Sequence, residues 1–170
     1  LKDEVFFRAS GGGVTLSGGE VLMQAGFAAR FLQRLRQWGS RTAIETAGDG
    51  AFDRFLPVAE ACNEVLVDFK IMEPVRARSL LRMNQPRVLD NFRQLAARKI
   101  NLIQRVPLIP GYTLNTDNFR QILAFLAPFA LKEMHLVPFH QYGEPKYRLL
   151  GKPWTLASVI APYEAEIQPY

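Results

Sequence analysis

The stretch Gly13-Val-Thr-Leu-Ser-Gly-Gly-Glu20, with its continuation through Trp38 and Gly39 to Thr42-Ala-Ile-Glu-Thr46, decides the fold. Gly13–Ser17 is a short β-branched run that reads as a strand. From Glu20 to Trp38, residues Leu22, Phe27, Phe31, Leu32 and Leu35 recur in a helical rhythm that stops at Gly39. Thr42–Thr46 is strand-like again. Strand, helix and strand in this order form a βαβ unit, which sets its two strands parallel.

The alternation continues along the chain. Glu64–Phe69, Asn101–Ile109 and Glu133–Phe139 read as further strands, and Phe52–Cys62, Val88–Arg98 and Asp117–Phe129 as further helices. The expectation is an α/β fold: a parallel sheet, curved or open, with right-handed crossovers and apolar residues on both strand faces. In such sheets the loops after the strands' C-terminal ends gather on one rim, where ligands bind. The chemistry-bearing residues fall there: Gly18, Gly19 and Glu20 after the first strand, Glu45 and Thr46 ending the second, and Asp68 and Lys70 ending the third. Arg105 lies along the fourth strand and His140 after the fifth.

With 170 residues and 48% hydrophobic content, the chain suits one domain spanning 1–170, with a loop-rich tail over 143–170. No internal repeat or low-complexity segment stands out. No apolar run approaches membrane-spanning length and Leu1–Val5 does not begin a leader, so the expectation is a cytoplasmic protein with no membrane partner. The net charge of +5 comes largely from arginines, including Arg30, Arg34, Arg36 and Arg41, then Arg76, Arg78, Arg82 and Arg87. They are scattered over helical stretches without a compact basic block or an aromatic platform. No nucleic-acid partner is expected; an acidic protein or anionic ligand could use some of them. The single cysteine, Cys62, excludes an intrachain disulfide, and its place in an apolar helical run reads as a buried, inert thiol.

Each candidate carries two readings. Gly18 and Gly19 bring bare backbone up to a small molecule, and Glu20 adds an acceptor for a cation or amine; alternatively they are a tight turn with a solvated carboxylate. Asp68 and Lys70, two apart on a strand, share a face: a rim ion pair, or an acceptor and an ammonium for a ligand. Glu45 and Thr46 are an edge carboxylate beside a satisfied hydroxyl, or oxygen donors for a cation. Arg105, inside an apolar run, needs a rim carboxylate or an anionic ligand as partner. His140 is structural or ligand-facing, and His135 reads as core.

Five segments, Ser10-Gly-Gly-Gly-Val-Thr-Leu-Ser-Gly-Gly-Glu20, Ile44-Glu-Thr-Ala-Gly48, Val67-Asp-Phe-Lys70, Arg105-Val-Pro-Leu-Ile-Pro-Gly111 and His135-Leu-Val-Pro-Phe-His-Gln-Tyr-Gly143, in this order, resemble the activating enzymes of glycyl radical enzymes. These are the pyruvate formate-lyase activase group of the radical S-adenosylmethionine superfamily. The resemblance implies a partial (βα)6 TIM-like barrel, here missing its first strand. It also implies S-adenosylmethionine as cofactor, touched by Gly18, Gly19, Glu20, Asp68, Lys70, Arg105 and His140. A monovalent cation beside it would use Glu45, Thr46 and Asp68, although the family's first carboxylate is an Asp where this chain has Glu45.

The implied activity is reductive cleavage of S-adenosylmethionine to place a radical on a glycine of a partner, pyruvate formate-lyase or a relative. A flavodoxin or ferredoxin-type protein is the implied reductant. The family's Cys-x-x-x-Cys-x-x-Cys loop for a [4Fe–4S] cluster is absent, and one cysteine cannot hold such a cluster. The chain is therefore read as the central and C-terminal part of a longer protein, inactive by itself, with the cluster loop upstream.

A reading from another class is a nucleotide- or phosphate-binding α/β module, or a barrel aldolase-like enzyme with Lys70 as nucleophile. The glycine-rich turn lacks both the Gly-Lys-Ser/Thr ending of a P-loop and the spacing of a dinucleotide fingerprint.

Overall fold

The computed structural model describes residues 4–129 and 133–168. Leu1–Asp3, within the stretch read as carrying no leader, and Pro169–Tyr170, ending the tail read as loop-rich, lie outside the described residues. Five strands, β1 (Gly13–Leu16), β2 (Arg41–Thr46), β3 (Glu64–Asp68), β4 (Leu102–Leu108) and β5 (Met134–Pro138), form one parallel sheet in the order β1-β2-β3-β4-β5. Each connection steps to the next strand in the same direction. The sheet therefore has no reversal of strand order to open a crevice, and its chemistry belongs on the rim at the strand ends.

Helices α1 (Glu4–Ser10), α2 (Ala25–Gln37), α3 (Phe52–Ala61), α4 (Pro74–Leu81), α5 (Gln85–Ala97) and α6 (Thr116–Leu126) precede and connect the strands. The tail folds into short helices α7 (Glu144–Leu149) and α8 (Glu164–Ile167) among loops. The helix expected to start at Glu20 begins as a 3-10 turn, Val21–Gln24, capped by the Glu20 carboxylate, before α2 proper. Ala28, Ala29, Leu32 and Leu35 form the buried stripe of α2. Phe27 does not join it: the side chain is 57% exposed and stacks on Phe31 one turn on, with ring centroids 5.6 Å apart.

The sequence pattern passed over α4, although its start is marked. Glu73 caps the Val75 and Arg76 amides and Pro74 sits in the first turn. Its arginine-rich body has only Ala77 buried, so the apolar stripe that betrays a helix is missing.

Strand faces differ from the expectation. Ile44, Val65, Val67, Val106 and Leu108 are fully buried on one face, against Leu32, Phe55, Val58, Phe92, Leu95 and Ile122 of the helices. Register places Asp68 opposite Arg105 and Arg105 opposite His135, so these share the other face with Glu45, and that face is polar and half-open. His135, read as core, stands exposed there, 3.8 Å from Glu133. That face also carries Leu66, Ile103 and Val137, so its charged groups gather toward an open rim where they keep part of their hydration.

Candidate functional site

A cavity of about 350 Å³ opens at the C-terminal ends of β1, β2 and β3. It is lined by Ser17, Gly18, Gly19, Glu20, Glu45, Thr46, Ala47, Asp68 and Lys70, and its size is within the range of small-molecule sites. Seven of the residues singled out from sequence therefore meet in one place. Arg105 joins from beneath through its ion pairs. His140 does not line this cavity: it is exposed beyond β5, its Nδ1 accepts from the Tyr142 amide at 3.3 Å, and its ring packs 4.4 Å from that of Tyr142.

Gly18 holds φ at +117°, a conformation that side-chain-bearing residues rarely adopt. A Cβ added at Gly18 or Gly19 meets nothing within 4 Å, so both glycines border open space. Glu20 lines the cavity and also serves the structure. Its carboxylate accepts from the Thr46 hydroxyl at 2.6 Å, the Ala47 amide at 2.9 Å and the Leu22 amide at 3.1 Å, which ties the β1 loop to the end of β2. The Thr46 hydroxyl also accepts from the Gly48 amide at 3.0 Å.

Thr46 is buried while Glu45 is half-open, because consecutive strand residues point to opposite faces. Glu45, Thr46 and Asp68, expected to share a cation, all line the cavity, with the Thr46 side chain on the opposite strand face from the two carboxylates. Among the described residues no group of three or more His, Cys, Asp or Glu side chains is arranged to hold a metal.

Along the open face, Ser17 donates to Glu45 at 2.7 Å, Arg105 pairs with Glu45 and lies 3.7 Å from Asp68, and Lys70 lies 3.5 Å from Asp68. Burial pushes the Asp68 carboxyl above its ordinary range, more strongly than Lys70 and Arg105 pull it down. Asp68 Oδ1 is buried and has no hydrogen-bond partner. Its nearest cationic group is Arg105 Nε at 3.7 Å, beyond hydrogen-bond distance, so this buried oxygen carries an unmet acceptor. Cys62 is of another kind: it is buried, its thiol contacts the Ala59 carbonyl at 3.4 Å, and burial raises its pKa to about 11.

Two buried asparagines that the sequence reading did not single out hold the rim in place. Asn91 on α5 donates to the carbonyls of Gly48 and Gly50, both at 2.8 Å, fixing the loop after β2. Asn118 on α6 donates to Lys70 O at 2.7 Å and Thr113 O at 3.2 Å, and accepts from the Met72 amide at 2.9 Å. It thereby fixes the backbone that carries Lys70. Asn118→Ala is expected to cost about 2–3 kcal/mol by orphaning these groups. Urea unfolding checks this; a loss below about 0.5 kcal/mol would mean that the amide is idle.

The comparisons fit this geometry. No family model matches the chain. The chain is 59% identical over 167 residues to the pyruvate formate-lyase 2-activating enzyme of Escherichia coli (strain K12), covering 98% of this chain and 57% of that protein. It is 33% identical to the choline trimethylamine-lyase activating enzyme of Oleidesulfovibrio alaskensis (98% and 55%). It is 34% identical to the isethionate sulfite-lyase activating enzyme of Desulfovibrio desulfuricans (93% and 51%). The chain thus spans about half the length of the curated relatives it matches. Among solved structures, it is similar to a domain of the pyruvate-formate lyase-activating enzyme of Bacteroides vulgatus, with a TM-score of 0.74 at 25% identity, over 93% of this chain and 89% of that one.

Proposed function

This chain belongs to the glycyl radical enzyme activating enzymes of the radical S-adenosylmethionine family, and on that premise we propose that its rim cavity holds S-adenosylmethionine for the activation of a pyruvate formate-lyase-like partner. The observation that carries this reading is that one cavity brings together the Asp68 carboxylate, the Lys70 ammonium and the bare Gly18–Gly19 backbone. These groups fit the two polar ends of that molecule. Asp68 accepts from ribose hydroxyls, Lys70 answers the carboxylate, and the glycine backbone leaves room for the amino-acid end. Arg105 keeps Glu45 and Asp68 in place below it. His140, out on the rim, is the contact this reading leaves furthest from the cavity.

When bound with a reduced [4Fe–4S] cluster, S-adenosylmethionine supplies the radical chemistry. The cluster does not fit the residues of this chain, whose one cysteine is a buried, protonated thiol away from the cavity. The reading therefore assigns its ligands to a segment outside these 170 residues. This chain's part is a partial (βα)6 TIM-like barrel lacking the first strand, which binds and orients the cofactor and, with the partner docked, excludes water. Electron delivery by a flavodoxin or ferredoxin-type protein and a cytoplasmic setting belong to the same reading. Among the described residues no helix is long and apolar enough to cross a membrane.

The test uses two ligands. Lys70→Met is expected to weaken S-adenosylmethionine binding about ten-fold while leaving 5′-methylthioadenosine, which lacks the amino-acid end, unaffected. Equilibrium dialysis with both reads the difference. Equal losses for the two ligands, or none, would separate Lys70 from the carboxylate. The aldolase-like alternative has less support: a Schiff-base lysine sits desolvated in an apolar pocket, whereas Lys70 is 30% exposed beside a carboxylate.

A further inference from the structure

Glu45 on β2 and Asp68 on β3 bring two carboxylates to one face, at the wall of one cavity. Two such charges on a half-buried surface repel unless a cation stands between them. The family resemblance implies a monovalent metal ion for that place. The geometry supplies something else. Arg105 on β4 lies opposite Asp68 in register, and its side chain crosses β3 to pair with Glu45 through Nη1 while Nε stays 3.7 Å from Asp68 Oδ1.

Of the side-chain oxygens a metal would need, Asp68 Oδ1 is buried 3.7 Å from Arg105 Nε and the others are already engaged. Glu45 Oε1 is paired with Arg105, and Oε2 accepts from Ser17 at 2.7 Å. Asp68 Oδ2 faces Lys70 at 3.5 Å. The Thr46 hydroxyl is buried and committed to Glu20 and Gly48. Glu45 and Asp68 are matched by one guanidinium and one ammonium, while Glu20, the third carboxylate at the cavity, is turned to Thr46, Ala47 and Leu22. A hard cation takes several oxygen ligands, and here it would have to displace the guanidinium to find them. Glu45 also has the extra methylene, relative to an aspartate, that carries its carboxylate toward a side chain arriving from two strands away.

We propose that Arg105 is the built-in counter-ion of this site, its guanidinium standing between Glu45 and Asp68 in place of a monovalent metal ion. Arg105 is a positioning residue: it holds the two carboxylates at the edge of the cavity that they line. The proposal does not require that S-adenosylmethionine be the ligand, so it survives or fails separately from that reading.

The experiment is thermal unfolding of the chain in potassium chloride and in tetramethylammonium chloride at equal ionic strength. The wild-type melting temperature is expected to be the same in both salts. Arg105→Ala is expected to melt about 4–8 °C lower in tetramethylammonium and to recover with added potassium, because two unpaired carboxylates then form the site a metal can enter. Adding Glu45→Gln to that variant should abolish the potassium effect. Arg41→Ala, which breaks the pair with Glu64 elsewhere on the same face, should show no salt preference. If Arg105→Ala does not fold in either salt, Arg105→Gln, which keeps length and polarity, decides by the same comparison. A wild-type protein stabilised by potassium over tetramethylammonium would overturn the proposal. So would an arginine variant whose loss potassium cannot repair.

Discussion

Gly19→Val is expected to abolish S-adenosylmethionine binding and to leave the melting temperature of the chain unchanged. The two halves rest on one local fact. Gly19 is not among the residues with positive φ, and a Cβ placed on it meets nothing within 4 Å, so the backbone and the first added carbon are accommodated without strain. Its added carbons instead stand in a cavity of only about 350 Å³, where the ligand's amino-acid end would lie. Three carbons placed where the ligand's amino-acid end would lie should cost affinity more than a hundred-fold. Gly19→Ala, with one added carbon, should fall between.

Gly18→Val is the contrasting control. At φ +117° it strains the backbone by about 1–3 kcal/mol, so this variant should lose stability as well as binding. Equilibrium dialysis and thermal unfolding of the variants separate the two effects. Unchanged affinity in Gly19→Val would move the ligand away from this turn.

The contrast between Gly19 and Glu20 shows how far the sequence could be read. Strands and helices are legible because β-branched runs and apolar stripes have different periods, and parallel strands bring their ends to one rim whatever the register. That is why Gly18, Gly19, Asp68 and Lys70 meet as expected. Which face of a strand is open is a different matter. Period two puts Glu45 and Thr46 on opposite faces, yet only the packed helices decide that Thr46 is the one inside.

Register decides the rest. Arg105 reaches Glu45 because β4 is set opposite β3 as it is, and His135 leaves the core for the same reason. Glu20 was legible as a rim carboxylate; that its oxygens bond to Thr46, Ala47 and Leu22 depends on a loop closure no local pattern encodes. Asn91 and Asn118 are single polar residues on amphipathic helices. Nothing in their neighbourhoods separates a buried clamp from a solvated amide.

Asp68→Asn is expected to weaken S-adenosylmethionine binding by about 1.5–3 kcal/mol, ten- to more than a hundred-fold, while making the ligand-free chain more stable at neutral pH. The opposite signs follow from its position. Burial raises the folded-state pKa of Asp68 above that of the unfolded chain, and Lys70 and Arg105 offset this only in part. The folded state therefore holds the proton more tightly than the unfolded one. Its stabilising contribution is complete below the unfolded value, near 3.9, and is lost as pH rises through the folded value. At neutral pH the ionised Asp68, with Oδ1 buried and without a hydrogen bond, is a net cost to the fold. An amide of the same shape removes that cost and also removes the charged acceptor.

Thermal unfolding of wild type and variant at neutral pH should favour the variant. The gap should close as pH falls toward the carboxylate range, where wild-type Asp68 takes up its proton. A residue that costs stability until a ligand arrives is the mark of a site shaped for binding. If Asp68→Asn lowered stability and affinity together, Asp68 would be a structural ion-pair partner. If affinity did not change, the orphaned oxygen would lie outside the cofactor site.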